Sequence, residues 1–298
     1  MAKARAIVKR RKAVRNTRKI TKTMQMIATA KFQKSLKRAV GTKPYTRKVR
    51  EVVQDLVENV GEFTHSLMES ATREKSGKVV VLVIASNRGL AGAYNGSVVR
   101  MADRFIQQTE GEGVSVELQA AGKKAFAYFA FRKRPVRQRH DQIVESVALA
   151  EIHRLADGYM KRYGDGEIDA VYVASTAFLS AGVQKAGITK LLPLEGMGTA
   201  SPADMPTGEV IRVQYEFAPS AQGLLDEMLP ITVRTSLYQC FLDAATSEHV
   251  ARMVSMKAAT DNADKIIKTL TMQYNRARQS QITTELSEIM GGVEAMKG

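Results

Sequence analysis

The sequence predicts a long antiparallel coiled coil made by the two ends of the chain, with an α/β domain inserted between them. Three observations carry this. Residues 1–40 and 231–290 hold no Gly and no Pro. Both stretches carry a narrow stripe stepping 4-3-4-3, the spacing of a coiled-coil seam. Between them, short β-branched apolar runs alternate with helical patterns, which is the signature of a layered α/β domain.

In chain order, Ala13, Thr17, Ile20, Met24 and Ile27 form the first stripe. Gly41 and Pro44 interrupt it, as a bend or as a boundary, before a helical pattern resumes from Tyr45 to about Met68. VVVLVIAS at 79–86 is an unbroken apolar run, predicting a strand buried on both faces. Helical pattern follows at 97–109, a strand at 114–120, a helix at 123–131 and a longer helix at 144–163. Strands are expected at 168–175, Ile188–Leu194 and Val210–Phe217, with a Gly/Pro-rich loop at 196–209. The second stripe is Ala263, Ile267, Leu270, Tyr274 and Ala277, resuming at Ile282, Leu286 and Ile289 after a five-residue skip. A continuous 60-residue helix would run ~90 Å, against a radius of gyration of roughly 19 Å for a compact chain of this size. Its stripe therefore needs a partner, and the other uninterrupted helix is the nearest one. The domain boundaries expected are 1–68, 77–209 and 210–298.

Charge sharpens the picture. The chain of 298 residues has a net charge of +15, and residues 1–50 hold 18 Lys and Arg with no Asp or Glu. The remaining residues net −3, the difference between +15 and +18. Like charges at i,i+4 weaken a helix, so the basic segment implies an anionic partner. On composition alone, nucleic acid leads. Against it, the segment has only Phe32 and Tyr45 as aromatics and no helix-turn-helix or zinc-finger spacing. A transit peptide, suggested by an Arg-rich, acid-free segment, is opposed by its single Ser and its continuous helical register, and an acidic protein surface is the third reading.

Nothing assembles into a catalytic site. The turn Arg88–Gly96 is Gly-rich but matches neither phosphate-loop pattern, so close strand-to-helix packing is its favoured reading. No two of His65, His140, His153 and His249 stand at i,i+3 or i,i+4. Cys240 is the single cysteine, which excludes an internal disulfide framework, and it is read as a core residue. No apolar run approaches the roughly 18 residues that span a bilayer.

Residues 7–32, IVKRRKAVRNTRKITKTMQMIATAKF, resemble the N-terminal signature of the gamma subunits of F-type ATP synthases. SNRGLAGAYN at 86–95 resembles that family's SDRGLCGxxN loop, with Asn87 and Ala91 as departures. Residues 215–249 resemble its late segment, and TDNADKIIKTLTMQYNRARQSQITTELSEIMGGVEAM its C-terminal helix. The resemblance implies a Rossmann-like α/β domain and a coiled-coil shaft inside a ring of three alpha and three beta subunits. It further implies contacts with the epsilon subunit and the membrane rotor ring of c subunits. It implies rotation driven by proton flow, no bond chemistry, no cofactor, no bound nucleotide and no nucleic acid.

By motif match, Met24, Arg278, Gln279, Thr283 and Glu285 fall on beta-subunit contacts. Lys9, Arg10, Lys12, Arg15, Arg18, Lys19 and Lys22 form the basic shaft face, and Arg88, Gly89 and Gly92 keep the family loop. Long cationic side chains at a wet interface are each worth only ~0–1 kcal/mol. Such contacts reform easily as one shaft faces three equivalent subunits in turn. The lone Cys240 cannot supply the redox pair of chloroplast members. The charged N-terminus, lacking a targeting segment, places the expectation on the cytoplasmic face of a bacterial inner membrane.

Overall fold

The computed structural model describes residues 2–60, 65–68, 75–194 and 221–296. They form two compact units: Met1–Ala30 with Arg252–Gly298, and Lys31–Ala251. Helix α1 spans Ala2–Val60 and α6 spans Ala221–Ala295, so each helix contributes to both units.

Helix α1 runs through Gly41 and Pro44 without a boundary. A proline withholds its N–H from the carbonyl four residues back, here Val40. Val40 and Pro44 are both exposed, so water can satisfy that carbonyl. α6 likewise absorbs Pro230 and starts ten residues before the Gly/Pro-free stretch.

In the larger unit, β1 (Lys78–Ile84), β2 (Ser115–Ala121), β3 (Gln138–Arg139), β4 (Ala170–Phe178) and β5 (Gln184–Leu192) form one sheet in the order β3-β2-β1-β4-β5. β1 pairs parallel with β2 (Val79 opposite Val116) and with β4 (Val79 opposite Ala170). β2 and β3 are parallel, whereas β5 returns antiparallel to β4. After the exposed Lys78, the central strand is dry on both faces from Val79 to Ile84, as its unbroken apolar run predicts.

Alternate residues of β1 feed two cores. Val80, Leu82 and Ile84 pack with Ile152, Ala156 and Tyr159 of α5 (Leu149–Gly164). That core also takes Ala39, Val53 and Leu56 of α1 and Leu225, Leu229, Val233, Leu237 and Phe241 of α6. Val81, Val83 and Ala85 pack with Val98, Ala102 and Ile106 of α2 (Tyr94–Gly111) and with Ala125 and Phe129 of α3 (Lys123–Phe131).

The helix at 123–131 falls where the sequence put it; several other elements differ. The helix expected at 144–163 is two: α4 (Asp141–Ser146) and α5, broken at Val147, which sits left-handed at φ 45°. Its side chain is buried in the core, so packing overrides the local preference of a β-branched residue. β4 reaches Phe178 and β5 begins at Gln184, because a hairpin extends both. β3 has only two polar residues and leaves no periodic signal. The expected strand Val210–Phe217 and loop 196–209 lie outside the described residues.

Gly122 joins β2 to α3 at φ +100°, and a Cβ there would stand 2.4 Å from the Ala85 carbonyl oxygen. Gly122→Ala is expected to cost about 2–4 kcal/mol, read as a lower urea midpoint in equilibrium unfolding.

Candidate functional site

The coiled coil is the unit formed by residues 2–30 and 252–296. Arg11 stacks over Tyr274 with its guanidinium carbon 5.1 Å from the ring centre. Arg18 Nε donates to Asp264 at 2.5 Å. The Thr21 and Thr260 hydroxyls meet at 2.8 Å. Partner numbers fall as the first helix rises, so the two strands of this coil run antiparallel.

The seam is not the stripe that the sequence suggests for α1. Ile20 and Ile27 are 61% and 53% exposed. The covered positions are Arg11, Val14, Arg18, Thr21, Gln25 and Ala28, which also step by three and four. Apolar counting missed them because four of the six are polar or charged. Across the seam, Ala263, Ile267, Leu270, Tyr274 and Ala277 do face inward, joined by Met256 and Thr260. Ile282, Leu286 and Ile289 do not; they stand exposed with Met290 and Val293. Extending the pairing of Arg11 with Tyr274 by one residue per residue sets Ala2 near position 283. Among the described residues nothing covers α6 beyond that point.

Lys9, Arg10, Lys12, Arg15, Lys19 and Lys22 are all exposed, while Arg18 is half-buried against Asp264. Met24 is half-buried beside the seam. Arg278, Gln279, Thr283 and Glu285 are exposed on α6. Thr283 donates to the Gln279 carbonyl at 3.0 Å, and Glu285 accepts from Gln281 at 2.8 Å. The unit thus presents cations and uncovered apolar side chains on one rod.

The loop after β1 is closed on itself. Ser86 N–H donates to Asn95 Oδ1 at 2.9 Å, and Ser86 Oγ donates to the Arg88 carbonyl. Asn87 Nδ2 donates to the Asp141 carbonyl at 2.9 Å, while its Oδ1 accepts from Lys123 N–H at 3.0 Å. An ionised aspartate could make only the second of these bonds. The departure at 87 therefore ties the β1 loop to the start of α4. Gly92 takes φ 54° and Leu90 φ 63°, so the turn needs left-handed residues at both places. Ala93, which precedes α2, makes no side-chain cap.

A cleft of about 680 Å³ lies between β2, β3, α4 and α5, with Gln119, His140 and Tyr159 among its lining. Gln119 Oε1 accepts from Tyr159 O–H at 2.8 Å and lies 2.9 Å from His140 Nε2. Its amide donates to Glu117, which Arg162 clamps through two guanidinium nitrogens at 2.8 and 3.0 Å. The Gln119 carbonyl can only accept, so His140 Nε2 carries a proton. Burial holds the His140 pKa below its ordinary value, outweighing Asp141 beside it. Hydrogen bonds from Arg162 and Gln119 lower Glu117 despite its burial. The network satisfies itself and positions no reactive group. Among the described residues no three His, Cys, Asp or Glu side chains could hold a metal. Burial pushes the Cys240 thiol up to about 11, leaving it protonated and inert at neutral pH.

Two outcomes follow from this geometry. Removing one threonine of the seam pair leaves the other hydroxyl without its cross-helix partner, whereas removing both does not. Thr260→Val should cost about 1–2 kcal/mol. The Thr21→Val, Thr260→Val double variant should cost less than the sum of the singles, in a double-mutant cycle by urea melts. For His140 the folded pKa lies below the ordinary 6.5. As pH falls through that value, the unfolded chain takes up a proton that the folded chain refuses, so stability drops. His140→Gln should flatten that part of the stability–pH curve. His65, also lowered by burial against the opposing pull of Asp226, acts in the same direction.

Comparison with known proteins places these features. The family described as "ATP synthase" matches residues 3–296. The ATP synthase gamma chain of Rhodopirellula baltica is 44% identical over 298 residues, covering all of both chains. That of Leptospira biflexa is 40% identical over 296 residues, covering 99% of this chain and all of the relative. That of Geobacter metallireducens is 34% identical over the full length of both. Among solved structures, a chain of the Euglena gracilis mitochondrial ATP synthase OSCP/F1/c-ring assembly aligns with a TM-score of 0.64 at 19% identity. That alignment covers 99% of this chain and 95% of that one. A chain of the Tetrahymena thermophila central stalk/c-ring aligns at a TM-score of 0.56 and 19% identity, covering 80% and 99%.

Proposed function

The chain belongs to the ATP synthase gamma-chain family, and from that membership we infer how its surface is used. It is the central-stalk rotor subunit of an F-type ATP synthase. It does no bond chemistry; the catalytic sites lie on the beta subunits. It works within a membrane-associated complex that includes F1 and a c-ring, and among the described residues no helix is long and apolar enough to cross a membrane.

We propose that the coil of residues 2–30 and 252–296 turns inside a ring of three alpha and three beta subunits. Lys9, Arg10, Lys12, Arg15, Lys19 and Lys22 face acidic beta loops, with Arg18 held in place by Asp264. Met24, Arg278, Gln279, Thr283 and Glu285 meet the beta subunits, and Arg88, Gly89 and Gly92 keep the family's loop after β1. The larger unit contacts the epsilon subunit and the rotor ring at the cytoplasmic face of a bacterial inner membrane. Protons passing through the membrane sector turn the ring and the coil with it. The observation that supports this most is the rod itself: a covered seam whose outer surface is cationic and, from Ile282 onward, apolar and uncovered. Such a surface is costly in water and fits a sleeve that supplies both carboxylates and apolar walls.

Purification of the tagged chain from its source membranes, followed by native mass spectrometry, tests the assembly. One copy with three alpha and three beta chains and ATP hydrolysis is the expected result. Recovery alone or with nucleic acid would sink it. Within the complex, successive Ala replacement of Lys9, Arg10, Lys12 and Arg15 should lower ATP-driven proton pumping stepwise. Each charge contributes only ~0–1 kcal/mol. Abolition of pumping by any single replacement would contradict contact through many weak charges.

A further inference from the structure

Helix α3 ends in a braced turn. Lys133 is left-handed at φ 56°. The N–H groups of Arg132, Lys133 and Arg134 donate back to the carbonyls of Tyr128, Ala130 and Phe129 at 3.0, 3.0 and 2.9 Å. Behind the turn, buried Asp103 of α2 holds Arg132 at 3.2 Å and Arg134 at 3.5 Å, and Tyr128 O–H donates to it at 3.2 Å. Arg134 Nη1 also donates to Glu110 at 2.6 Å.

This bracing holds an aromatic ring out in water. Phe131 is 85% exposed, more than any other large apolar side chain among the described residues. Residues 131–139 read FRKRPVRQR, with five cations and no carboxylate, inside a stretch of chain that otherwise nets negative. Asp103 and Glu110 neutralise Arg132 and Arg134. Among the described residues Lys133 and Arg137 form no ion pair; Arg137 is exposed and acts on Glu117 only from beyond ion-pairing distance. A rigid turn that shows one ring and unpaired cations is built to meet an apolar surface edged with negative charge.

We propose that the loop Phe131–Arg137 docks on the anionic headgroup surface of a membrane. The ring enters the boundary between headgroups and acyl chains, and Lys133 and Arg137 meet lipid phosphates. The proposal rests on the rotor reading only in that this reading sets the chain beside a membrane. The ring stands clear of its surroundings, and a bilayer accepts a protruding ring without a shaped socket, whereas a protein partner must supply one. Aromatic side chains with flanking Lys or Arg are the usual residents of the membrane–water boundary.

The chain contains no Trp, so Phe131→Trp makes a single reporter at this site. The full-length variant is mixed with phosphatidylcholine vesicles, with and without phosphatidylglycerol. The expected result is a blue shift of emission, with quenching by acyl-brominated lipid, on the phosphatidylglycerol vesicles only. Adding Lys133→Glu and Arg137→Glu should weaken vesicle binding at this reporter about tenfold or more. The N-terminal cations adsorb equally in both variants, so the local emission is the readout rather than sedimentation. Unshifted emission from chain that sediments with anionic vesicles would overturn the proposal. So would a shift seen only on adding other subunits of the complex, which would make the loop a protein contact. Neither result bears on subunit composition by native mass spectrometry, so loss of this docking and loss of the rotor reading stay separable.

Discussion

A helix carrying charge of one sign repels itself, and residues 2–30 hold together as a folded unit only through the seam they share with residues 252–281. That seam is mixed. Ala28, Ala263 and Leu270 supply apolar contact, while Arg18–Asp264 and the Thr21–Thr260 pair are polar. Exposed ion pairs add little stability, but the buried hydroxyl pair favours this register through a cross-helix hydrogen bond that a shifted alignment would lose, beyond the bond each hydroxyl makes to a carbonyl of its own helix. Strength comes from length and alignment from the threonines, which leaves the outer surface free to be cationic.

The larger unit solves a different problem. β1 is dry on both faces, so helices must cover both sides of the sheet. α2 and α3 cover one side. The other is shared between α5 and portions of α1 and α6. The long helices are therefore part of the core of this unit as well as strands of the coil. Leu225, Leu229, Val233, Leu237 and Phe241 recur every fourth residue toward the sheet, whereas α6 beyond Arg252 follows the three-and-four stepping of a coil. One helix changes its apolar pattern where it changes partner.

This division explains what could be read from residues alone. β1, α3 and the inward stripe from Ala263 to Ala277 were legible because burial there is achieved with apolar side chains. The seam of α1 was displaced to Ile20 and Ile27 because Arg11, Arg18 and Gln25 occupy covered positions that polarity assigns to water. Val147 and Gly122 were invisible for another reason. A left-handed break and a close approach to the Ala85 carbonyl are set by distant chain, and local preference carries no trace of them. The loop Arg88–Gly96 was legible as a tight strand-to-helix turn, but the role of Asn87 needed Asp141, fifty-four residues away, to become visible.

The coil joins residues separated by 239 positions at Thr21–Thr260 and by 246 at Arg18–Asp264. During synthesis at roughly 5–20 residues per second, the first helix leaves the ribosome about 12–50 s before its partner exists. An apolar helix waiting that long would aggregate. A strongly cationic one repels its own kind and stays dispersed, so the charge that later faces a partner first serves as protection for an unfinished chain.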